Sequence, residues 1–371
     1  MKKLLMVFGT RPEAIKMAPL YRELKSRPTA FDTKLCVTAQ HRQQLDQVLA
    51  VFDIVPDYDL NIMRDRQTLD DVICHALIGL HEVLEKEKPD IVLVHGDTAT
   101  TFGAALAAFH QRIAVGHVEA GLRTWDKLAP FPEELYRQMT DDIADYYFAP
   151  TELSKENLRK EGKDPTKIFV TGNTAIDAIQ YTVREDYSHP ELERIKGTRL
   201  LLLTAHRREN LGEPMLSMFR GIRRAMDRFP DVRVIYPVHL NPAVREAADA
   251  IFAGDDRVRL IEPLEIIDFH NFIKQSYIVV TDSGGIQEEA PSFGKPVLVT
   301  RDVTERPEGV EAGTLKLVGT DENRICDEIV RLLSDTASYE RMSRTMNPYG
   351  DGMASKRIAD ALETGRCGEF V

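Results

Sequence analysis

The sequence predicts an α/β fold made of two doubly wound, Rossmann-like domains. Short apolar runs rich in Val, Ile and Leu alternate with amphipathic stretches along the chain, a pattern typical of parallel sheets that helices cover on both faces. Clusters of polar residues directly follow several of these runs. The length of 371 residues favours two domains over one very large sheet. We therefore expect two domains that face each other across a ligand-binding cleft.

The apolar runs form two series that meet near Gly172. The predicted strands before it are Leu4–Phe8, Lys34–Thr38, Ile91–His95, Ala114–Val118 and Ile168–Thr171. Those after it are Leu200–Thr204, Val232–Tyr236, Arg257–Ile261, Ile278–Thr281 and Val297–Thr300. Helical spacing marks Met215–Phe229, Glu322–Leu333 and Ala354–Glu363. We predict a first domain over residues 1–172 and a second over 173–354, with a C-terminal helix in 355–371 that packs back on the first.

The composition of the chain argues against several classes of protein. The chain has 48 Lys and Arg against 59 Asp and Glu, a formal net charge of −11, which argues against a basic surface for nucleic acid or anionic membranes. Apolar runs such as Leu200–Leu203 are far shorter than the roughly 20 residues of a membrane helix. Arg11 and Glu13 follow the N-terminal apolar run too closely for a secretory signal. The four scattered cysteines indicate neither a zinc site nor a disulfide framework. We expect a cytoplasmic protein.

The first strand-to-helix turn is suited to an anion. In Gly9-Thr10-Arg11-Pro12-Glu13, the glycine allows a tight turn and the proline suits the start of a helix. Arg11 would then stand beside free backbone N–H groups that can bind a phosphate. The alternative is an ordinary turn with a surface arginine. The segment matches neither the dinucleotide fingerprint G-x-G-x-x-G nor the P-loop, so neither NAD nor ATP is indicated.

The segment Thr281–Glu289 predicts a diphosphate site. Its Ser-Gly-Gly turn leaves room for a phosphate at the backbone, and the following helix presents unpaired N–H groups. Glu289 is placed to accept hydrogen bonds from ribose hydroxyls, or is simply an acid on the helix surface. Arg301 and Arg306 follow the next predicted strand and can neutralise the same phosphates. A second basic cluster, His206–Arg208, ends another strand and also favours anion binding.

Three carboxylates of the first domain occupy corresponding positions. Asp97 and Glu119 follow successive predicted strands, and Glu133 begins a predicted helix. In one partly dry cleft their mutual repulsion would separate their pKa values and yield an acid and a base. The alternatives are a helix cap for Asp97 and a helix-dipole contact for Glu133. A metal site that includes His95 and His117 is disfavoured, because no helical metal-binding motif is present.

Ten longer motifs occur in order along the chain. They are VFGTRPEAIKMAPL, VTAQHRQQLDQVL, VHGDTATT, GHVEAGLRT, PFPEE, VTGNTAIDA, TAHRRENLG, YPVHLNP, TDSGGIQEEAPSFGKPVLVTRDVTERPEGVEAGT and NPYGDGMAS. Together, from about residue 4 to about residue 361, the chain resembles the non-hydrolysing UDP-N-acetylglucosamine 2-epimerases of bacteria. The resemblance implies a two-domain fold of the glycosyltransferase GT-B type and a homodimer without metal or cofactor. It also implies interconversion of UDP-N-acetylglucosamine (UDP-GlcNAc) and UDP-N-acetylmannosamine (UDP-ManNAc).

The resemblance also implies roles for individual residues. The matching acid–base and sugar-site residues are Asp97, Glu119 and Glu133, with His206 beside the diphosphate. The matching UDP contacts are Arg11, Lys16, Phe269, Ser283, Gly284, Gly285, Glu289 and Arg306. The residues that match a second, activating UDP-GlcNAc site are Gln40, His41, Gln43, Arg66, Arg207 and His239. One departure is Leu264, which stands where many relatives carry Gln, so a side-chain amide contact to the uracil is in doubt while a backbone contact can survive.

The implied reaction begins with loss of UDP from the sugar. Anti elimination gives 2-acetamidoglucal, and re-addition of UDP after protonation at the other face gives the C2 epimer. Acids on both faces of C2 are needed for these proton transfers. Three alternatives stay open at this point: a hydrolysing 2-epimerase that releases free ManNAc, a GT-B glycosyltransferase, and a UDP-sugar sensor without catalysis.

Overall fold

The computed structural model describes residues 1–39, 42–64, 66–368 and 370. Its contacts divide the chain into two compact units: unit 1 comprises Met1–Tyr181 and Tyr349–Val371, and unit 2 comprises Thr182–Pro348. The division falls after the helix that follows Gly172, because this helix packs within unit 1. Asp177 of the helix accepts hydrogen bonds from the backbone N–H groups of Ala354 (3.2 Å) and Ser355 (2.7 Å), which ties the C-terminal segment to unit 1.

Unit 1 contains one parallel sheet with helices between successive strands. In the part of unit 1 that the structure describes, the seven strands lie in the order β3-β2-β1-β4-β5-β6-β7. They are β1 (Lys2–Phe8), β2 (Phe31–Val37), β3 (Tyr58–Asp59), β4 (Ile91–His95), β5 (Ala114–Val118), β6 (Tyr146–Ala149) and β7 (Ile168–Val170). The helices are α1 (Arg11–Lys25), α2 (Arg42–Val51), α3 (Leu69–Glu87), α4 (Ala99–His110), α5 (Glu133–Ile143), α6 (Glu152–Lys160), α7 (Thr174–Thr182) and, from the C-terminal segment, α16 (Ala354–Thr364). Helix α16 packs on α1.

Unit 2 repeats this architecture with a smaller sheet. Its six strands lie in the order β10-β9-β8-β11-β12-β13 and are all parallel. They are β8 (Arg199–Thr204), β9 (Val232–Pro237), β10 (Val258–Ile261), β11 (Ile278–Thr281), β12 (Val297–Val299) and β13 (Leu315–Leu317). The helices are α8 (Pro190–Arg194), α9 (Glu213–Met226), α10 (Pro242–Phe252), α11 (Ile266–Gln275), α12 (Gly284–Glu289), α13 (Pro307–Ala312), α14 (Glu322–Ser334) and α15 (Thr336–Ser343).

The leucine-rich strand β8 shows how the unit 2 sheet is buried. Leu201 and Leu203 pack in a core that includes Phe219 of α9, whereas Leu200 and Leu202 pack in a second core that includes Phe272 of α11. Successive side chains of a strand point to opposite faces of the sheet, so both faces of this strand are covered. The predicted fold class is confirmed: both units are doubly wound α/β sheets.

The sequence pattern missed three strands. They are β3, β6 and β13, which contain two, four and three residues. Such runs are too short to show a period of their own. The segments Met215–Phe229 and Glu322–Leu333 are helical, as α9 and α14, with their ends displaced by a few residues.

The order of strands reverses at one point in each sheet. In unit 1 this point lies between β1 and β4, and in unit 2 it lies between β8 and β11. Open α/β sheets bind ligands at such a switch point, beside the carboxyl ends of the strands. The segments that follow these four strands contain Arg11, Asp97, His206 and Ser283. No helix among the described residues is long and apolar enough to cross a membrane.

Candidate active site

Two of the predicted acids of unit 1 lie at the carboxyl ends of adjacent strands. Asp97 follows β4 through Gly96, and Glu119 follows β5 directly. A Cβ atom built on Gly96 would lie 3.6 Å from Glu119 Oε1, so the two segments are neighbours. Glu119 has a φ of 67°, a left-handed conformation that is uncommon for a residue other than glycine. The turn after β5 therefore holds this carboxylate at the edge of the sheet in a strained conformation.

The Glu119 carboxylate is held by groups from two other elements. Lys16 Nζ, from α1, forms an ion pair with Glu119 Oε2. Asn173 Nδ2, just before α7, donates a hydrogen bond of 2.8 Å to the same oxygen. Lys16 was predicted as a UDP contact, and in this structure its ammonium group lies on Glu119. Asn173 was not predicted, although it belongs to one of the ten motifs.

His95 lies behind Glu119 as a buried base. Its Nε2 is 3.7 Å from Glu119 Oε2, and neither ring nitrogen has a hydrogen-bond partner in the described part of the chain. Burial lowers the pKa of His95 to about 3, and the nearby Glu119 carboxylate opposes this shift only in part. The imidazole is therefore neutral at physiological pH.

Both ring nitrogens of His117, which was considered above as a metal ligand, contact other groups of the protein. Its Nδ1 lies 2.6 Å from Asp141 Oδ1 and its Nε2 lies 2.8 Å from the carbonyl oxygen of Gly96. Asp141 is fully buried and also accepts a hydrogen bond of 2.7 Å from Arg123. Among the described residues, no group of three or more His, Cys, Asp or Glu side chains is arranged to hold a metal ion. His117 therefore fixes the Gly96 turn that leads to Asp97.

The third predicted acid, Glu133, is the first residue of α5 and is partly exposed. The adjacent Glu134 is fully buried and accepts hydrogen bonds from the backbone N–H groups of Thr124 and Trp125, both 3.0 Å long. One turn later, Arg137 of the same helix contacts Asp97. The two neighbouring glutamates thus differ completely in their surroundings.

The first turn of α1 is built around a buried carboxylate. Glu13 accepts hydrogen bonds from the backbone N–H groups of Gly9 (3.2 Å) and Thr10 (2.8 Å) and from Thr98 Oγ1 (2.9 Å). Burial raises the pKa of Glu13, although these hydrogen bonds oppose the shift. Arg11 is the first residue of α1 and is partly exposed. The sequence therefore places a buried acid inside the same short motif as the predicted UDP contact.

The corresponding edge of unit 2 is organised by Asp282, which follows β11 and is fully buried. Its Oδ2 accepts hydrogen bonds of 2.9 Å from the backbone N–H groups of His206 and Arg207. His206 Nδ1 lies 3.2 Å from Asp282 Oδ1, a contact that lacks hydrogen-bond geometry. Burial alone would raise the pKa of Asp282, but His206 and the backbone donors hold it below its usual range. Asp282 thus connects the segments after β8 and β11.

The predicted diphosphate turn lies against a cluster of arginines and acids. Arg306 Nε donates to Glu288 Oε1 at 2.7 Å, and its Nη1 donates to Glu305 Oε1 at 2.6 Å. Glu305 also accepts a hydrogen bond of 2.7 Å from Arg301. Burial opposes ionisation of Glu305, but the two arginines lower its pKa to about 2. A Cβ atom on Gly284 would lie 2.7 Å from Arg306 Nη1, so the absence of a side chain there makes room for the guanidinium.

The predicted nucleoside contacts lie on α11 and α12. Glu289 is the last residue of α12, and its Oε2 is 3.4 Å from Nε2 of the buried His270. Phe269 and Leu264 are partly buried and pack against the core that contains Leu200 and Leu202. Ser283 precedes α12, which begins with Gly284 and Gly285. The predicted contacts Phe269, Ser283, Gly284, Gly285 and Glu289 therefore lie in or directly before α11 and α12.

Comparison with known proteins identifies the family. The sequence profile of the family described as UDP-N-acetylglucosamine 2-epimerase matches residues 22–363. The chain belongs to the UDP-N-acetylglucosamine 2-epimerase family. It is 64% identical over 360 residues to the UDP-N-acetylglucosamine 2-epimerase of Bacillus subtilis (strain 168), which covers 97% of this chain and 94% of that protein.

Solved structures of 2-epimerases have the same fold. A crystal structure of a UDP-N-acetylglucosamine 2-epimerase is 59% identical, covers all of both chains and superposes with a TM-score of 0.93. The UDP-GlcNAc 2-epimerase from Neisseria meningitidis, bound to UDP-GlcNAc, is 47% identical, with a TM-score of 0.87 over 97% of this chain and 99% of that one. The resemblance drawn from the ten motifs is thus confirmed at the level of the family.

The residues predicted for an activating site are divided between the two units. Gln43 and Arg66 are exposed residues of unit 1, whereas Arg207 and His239 belong to unit 2. The rings of His239 and His206 stack with their centroids 5.7 Å apart, and Arg207 Nε donates to the carbonyl oxygen of Asp282 at 2.9 Å. Two further predicted residues, Gln40 and His41, lie outside the described residues.

Two residues that contact the predicted acids were not found from the sequence. Arg137, which contacts Asp97, belongs to the regular pattern of α5, and Asn173 lies 54 positions from Glu119 along the chain. A position just after an apolar strand predicts that a residue lies at the sheet edge. A residue that reaches the same edge from within a helix has no such position in the sequence.

Proposed function

We propose that the protein interconverts UDP-GlcNAc and UDP-ManNAc without net hydrolysis. The observation that carries this proposal is the pair of carboxylates, Asp97 and Glu119, each bound by a cation at the switch-point edge of unit 1, in a chain of the 2-epimerase family. Named relatives include a 2-epimerase bound to UDP-GlcNAc, which supports this substrate.

The chemistry of the sugar explains why such groups are needed. C2 has no neighbouring carbonyl, so its proton is not acidic in the ground state. When the C1–O bond breaks, UDP leaves with the bonding electron pair and positive charge develops at C1, which acidifies the C2 proton. Transfer of that proton to a carboxylate forms the C1–C2 double bond of 2-acetamidoglucal. Return of a proton to the opposite face of C2, with re-addition of UDP at C1, yields the epimer.

We assign the proton transfers to Asp97, Glu119 and Glu133. Lys16 and Asn173 both contact Oε2 of Glu119 and so fix the orientation of its side chain, and Arg137 does the same for Asp97. Glu133 has neither a hydrogen bond nor an ion pair within the described residues. Its carboxylate lies partly exposed at the start of α5. Neutral His95 contributes no charge behind Glu119.

We assign the departing diphosphate to unit 2. The backbone N–H groups of Ser283, Gly284 and Gly285 and the guanidinium of Arg306 supply donors for the negative charge that develops on UDP. His206 is assigned to the same group, because its backbone N–H donates to Asp282 and its ring lies 3.2 Å from the same carboxylate, just before this turn. The remaining proposed UDP contacts are Arg11, Lys16, Phe269 and Glu289.

UDP-GlcNAc is also proposed to activate the enzyme through Gln40, His41, Gln43, Arg66, Arg207 and His239. The stacking of His239 on His206 supports a coupling between an activating residue and a residue assigned to the reaction. Initial rates should rise sigmoidally with UDP-GlcNAc concentration, and His239→Ala should reduce this cooperativity. A hyperbolic dependence in the wild-type protein would contradict the activation.

Proton NMR of UDP-GlcNAc with the purified protein in D₂O tests the reaction itself. We expect a mixture of the two C2 epimers that carry deuterium at C2, without added NAD and with no loss of rate in EDTA. Free N-acetylmannosamine formed in proportion to turnover would instead indicate the hydrolysing reaction. Binding without any turnover would indicate a sensor, and turnover only with an added acceptor would indicate a glycosyltransferase.

Two further expectations concern the state of the protein. The homodimer implied by the resemblance is tested by light scattering at micromolar concentration, where a monomer mass would contradict it. The cytoplasmic location follows from a nucleotide-sugar substrate, and fractionation of cells that express the native chain tests it.

A further inference from the structure

Arg137 connects two acids that have different functions in unit 1. Its Nε donates to Asp97 Oδ2 at 3.1 Å, and its Nη2 contacts the same oxygen. Its Nη1 donates to Glu134 Oε2 at 3.1 Å. The Arg137 side chain is only 10% exposed, against 25% for Asp97. The guanidinium therefore lies behind Asp97 and extends from it toward the interior.

The contacts of Arg137 leave the two Asp97 oxygens in different situations. Both guanidinium contacts converge on Oδ2. In the described part of the chain, Oδ1 accepts no hydrogen bond. A carboxylate that is held at one oxygen has a fixed orientation, with the other oxygen available to a ligand. Since a guanidinium does not lose its proton in proteins, this arrangement persists throughout a reaction cycle.

Arg137 is itself held in place by Glu134. Glu134 Oε1 accepts hydrogen bonds from Trp125 N (3.0 Å) and Gln138 Nε2 (2.7 Å), and its Oε2 accepts one from Thr124 N (3.0 Å) besides that from Arg137. All of these donors converge on a fully buried carboxylate. Asp97 is thus connected through Arg137 and Glu134 to the backbone of the segment that precedes α5.

We propose that Arg137 is the positioning residue of Asp97. It aims Oδ1 at the reacting carbon and keeps Oδ2 occupied, and it touches no substrate in doing so. The inference rests on the proposed function, because it assigns Arg137 to the proton transfer that Asp97 performs there. A misplacement of about 1 Å in a reacting group can lower a rate about 100-fold, which sets the expected size of the effect.

The test compares Arg137→Met and Arg137→Lys with the wild-type enzyme. We expect kcat for epimerisation to fall about 100-fold in the Met variant with KM changed less than about threefold, since the residue acts on orientation and not on binding. The Lys variant should recover part of kcat, because an ammonium group supplies the positive charge but not the two-nitrogen contact of a guanidinium. Arg357→Met is the matched control. Arg357 lies on α16 and donates two hydrogen bonds of 2.7 Å to Asp351 in the preceding loop, so it makes a similar Arg–Asp pair.

A double variant distinguishes positioning from a general structural role. If Arg137 acts through Asp97, Asp97→Asn combined with Arg137→Met should be no more than about threefold slower than Asp97→Asn alone. Losses that multiply would overturn the proposal, as would a KM that rises in step with the fall in kcat. An equal fall in kcat in the Arg357→Met control would also overturn it.

The sole tryptophan provides a measurement that needs no substrate. The chain contains one Trp, Trp125, whose backbone N–H is bound to Glu134. Loss of Arg137 should shift the Trp125 emission maximum in the free protein, with the Lys variant closer to wild type. Unchanged emission in both variants would overturn the anchoring through Glu134. Absence of turnover in the wild-type enzyme would overturn the proposed function, whereas normal kcat in both variants beside an active wild type would overturn the positioning role alone.

Discussion

Two ion pairs at the switch-point edges expose different partners: the acid Asp97 in unit 1 and the base His206 in unit 2. Asp97 is 25% exposed and Arg137 10%, although in the neighbouring Lys16–Glu119 pair the base is slightly more exposed, at 15% against 10%. His206 is 43% exposed and Asp282 0%, although Glu305, at 28%, is more exposed than the arginines that it binds. In the proposed function, the same topology carries a proton-transfer surface, which includes Asp97, in one unit and an anion-binding surface, which includes His206 and Arg306, in the other. The fold supplies the edge in each unit, and the side chains placed there decide its chemistry.

Replacement of the exposed acid of unit 1 should have the largest effect. Asp97→Asn retains the shape of the side chain but cannot exchange a proton, so kcat should fall by roughly 10²–10⁴. UDP affinity should change little, because the groups assigned to the departing diphosphate lie mainly in unit 2. Both quantities are measured by NMR turnover and calorimetry, with Asp351→Asn as the control for loss of an Asp–Arg pair. Near-normal turnover would remove Asp97 from the proton-transfer surface.

The buried imidazole of His95, beside Glu119, predicts that the folded protein becomes less stable at low pH. The folded-state pKa of His95 is lowered to about 3, below the ordinary value of about 6.5. Between these values the unfolded chain binds a proton that the folded chain does not, so stability falls as pH decreases from about 6.5 toward 3 by up to about 1.4 kcal/mol per pH unit.

His95→Gln should remove this contribution. Denaturant unfolding from pH 7 to pH 4 should show a flatter decline in the free energy of unfolding for the variant, by a few kcal/mol in total. His110→Gln, at an exposed position of α4, is the matched control. Parallel curves for wild type and His95→Gln would show that the buried imidazole does not separate the two protonation states.

The proposed anion-binding surface of unit 2 requires a bare backbone at Gly284. In Gly284→Val, the new Cβ would lie 2.7 Å from Arg306 Nη1, so the guanidinium must move and the valine would also block the backbone. UDP affinity should fall by about 2 kcal/mol, roughly 30-fold, through lost charge-assisted hydrogen bonds. Calorimetry measures it, and Gly368→Val, where nothing lies within 4 Å, controls for the substitution. An unchanged affinity would leave the turn without a role in binding.

The smallest expected effect concerns the acid that competes for the arginines of unit 2. Glu305 binds both Arg301 and Arg306, so Glu305→Gln should free positive charge for a diphosphate. We expect UDP to bind a few-fold more tightly, by about 1 kcal/mol or less at moderate salt. Glu322→Gln is the control, because Glu322 likewise binds two arginines, Arg220 and Arg224. Weaker binding in Glu305→Gln would show that Glu305 orients the arginines for the anion.

The sequence predicted which residues lie at the sheet edges better than it predicted the buried contacts behind them. Asp97, Glu119, His206 and Ser283 were found because each lies within two residues of the end of an apolar strand, and the order of parallel strands brings such residues to one edge. The difference between Glu133 and Glu134 was not predictable. Both stand at a helix start, and only the fold of the preceding segment decides which carboxylate receives its N–H groups.

Two other features were beyond the sequence for related reasons. The bare Gly284 predicts room for a phosphate at the backbone, and the structure adds that it accommodates the guanidinium of Arg306, a residue more than twenty positions away. Arg137 carries no local sign of its contact with Asp97, since the separation of 40 residues is bridged only when α5 packs against the sheet. Pairings of this kind depend on tertiary packing, which local patterns do not contain.

The four consecutive leucines of β8 have a consequence for the accuracy of folding. Both faces of this strand are buried, so a shift of its pairing by one residue would exchange leucine for leucine with little change in burial. Polar contacts at the two ends define the alignment instead. Arg199 donates to Asp231 at 2.7 Å at one end, and the hydroxyls of Thr204 and Thr281 lie 2.7 Å apart at the other. These end contacts align the carboxyl ends of β8 and β11. His206, which follows β8, is therefore next to Asp282, which follows β11.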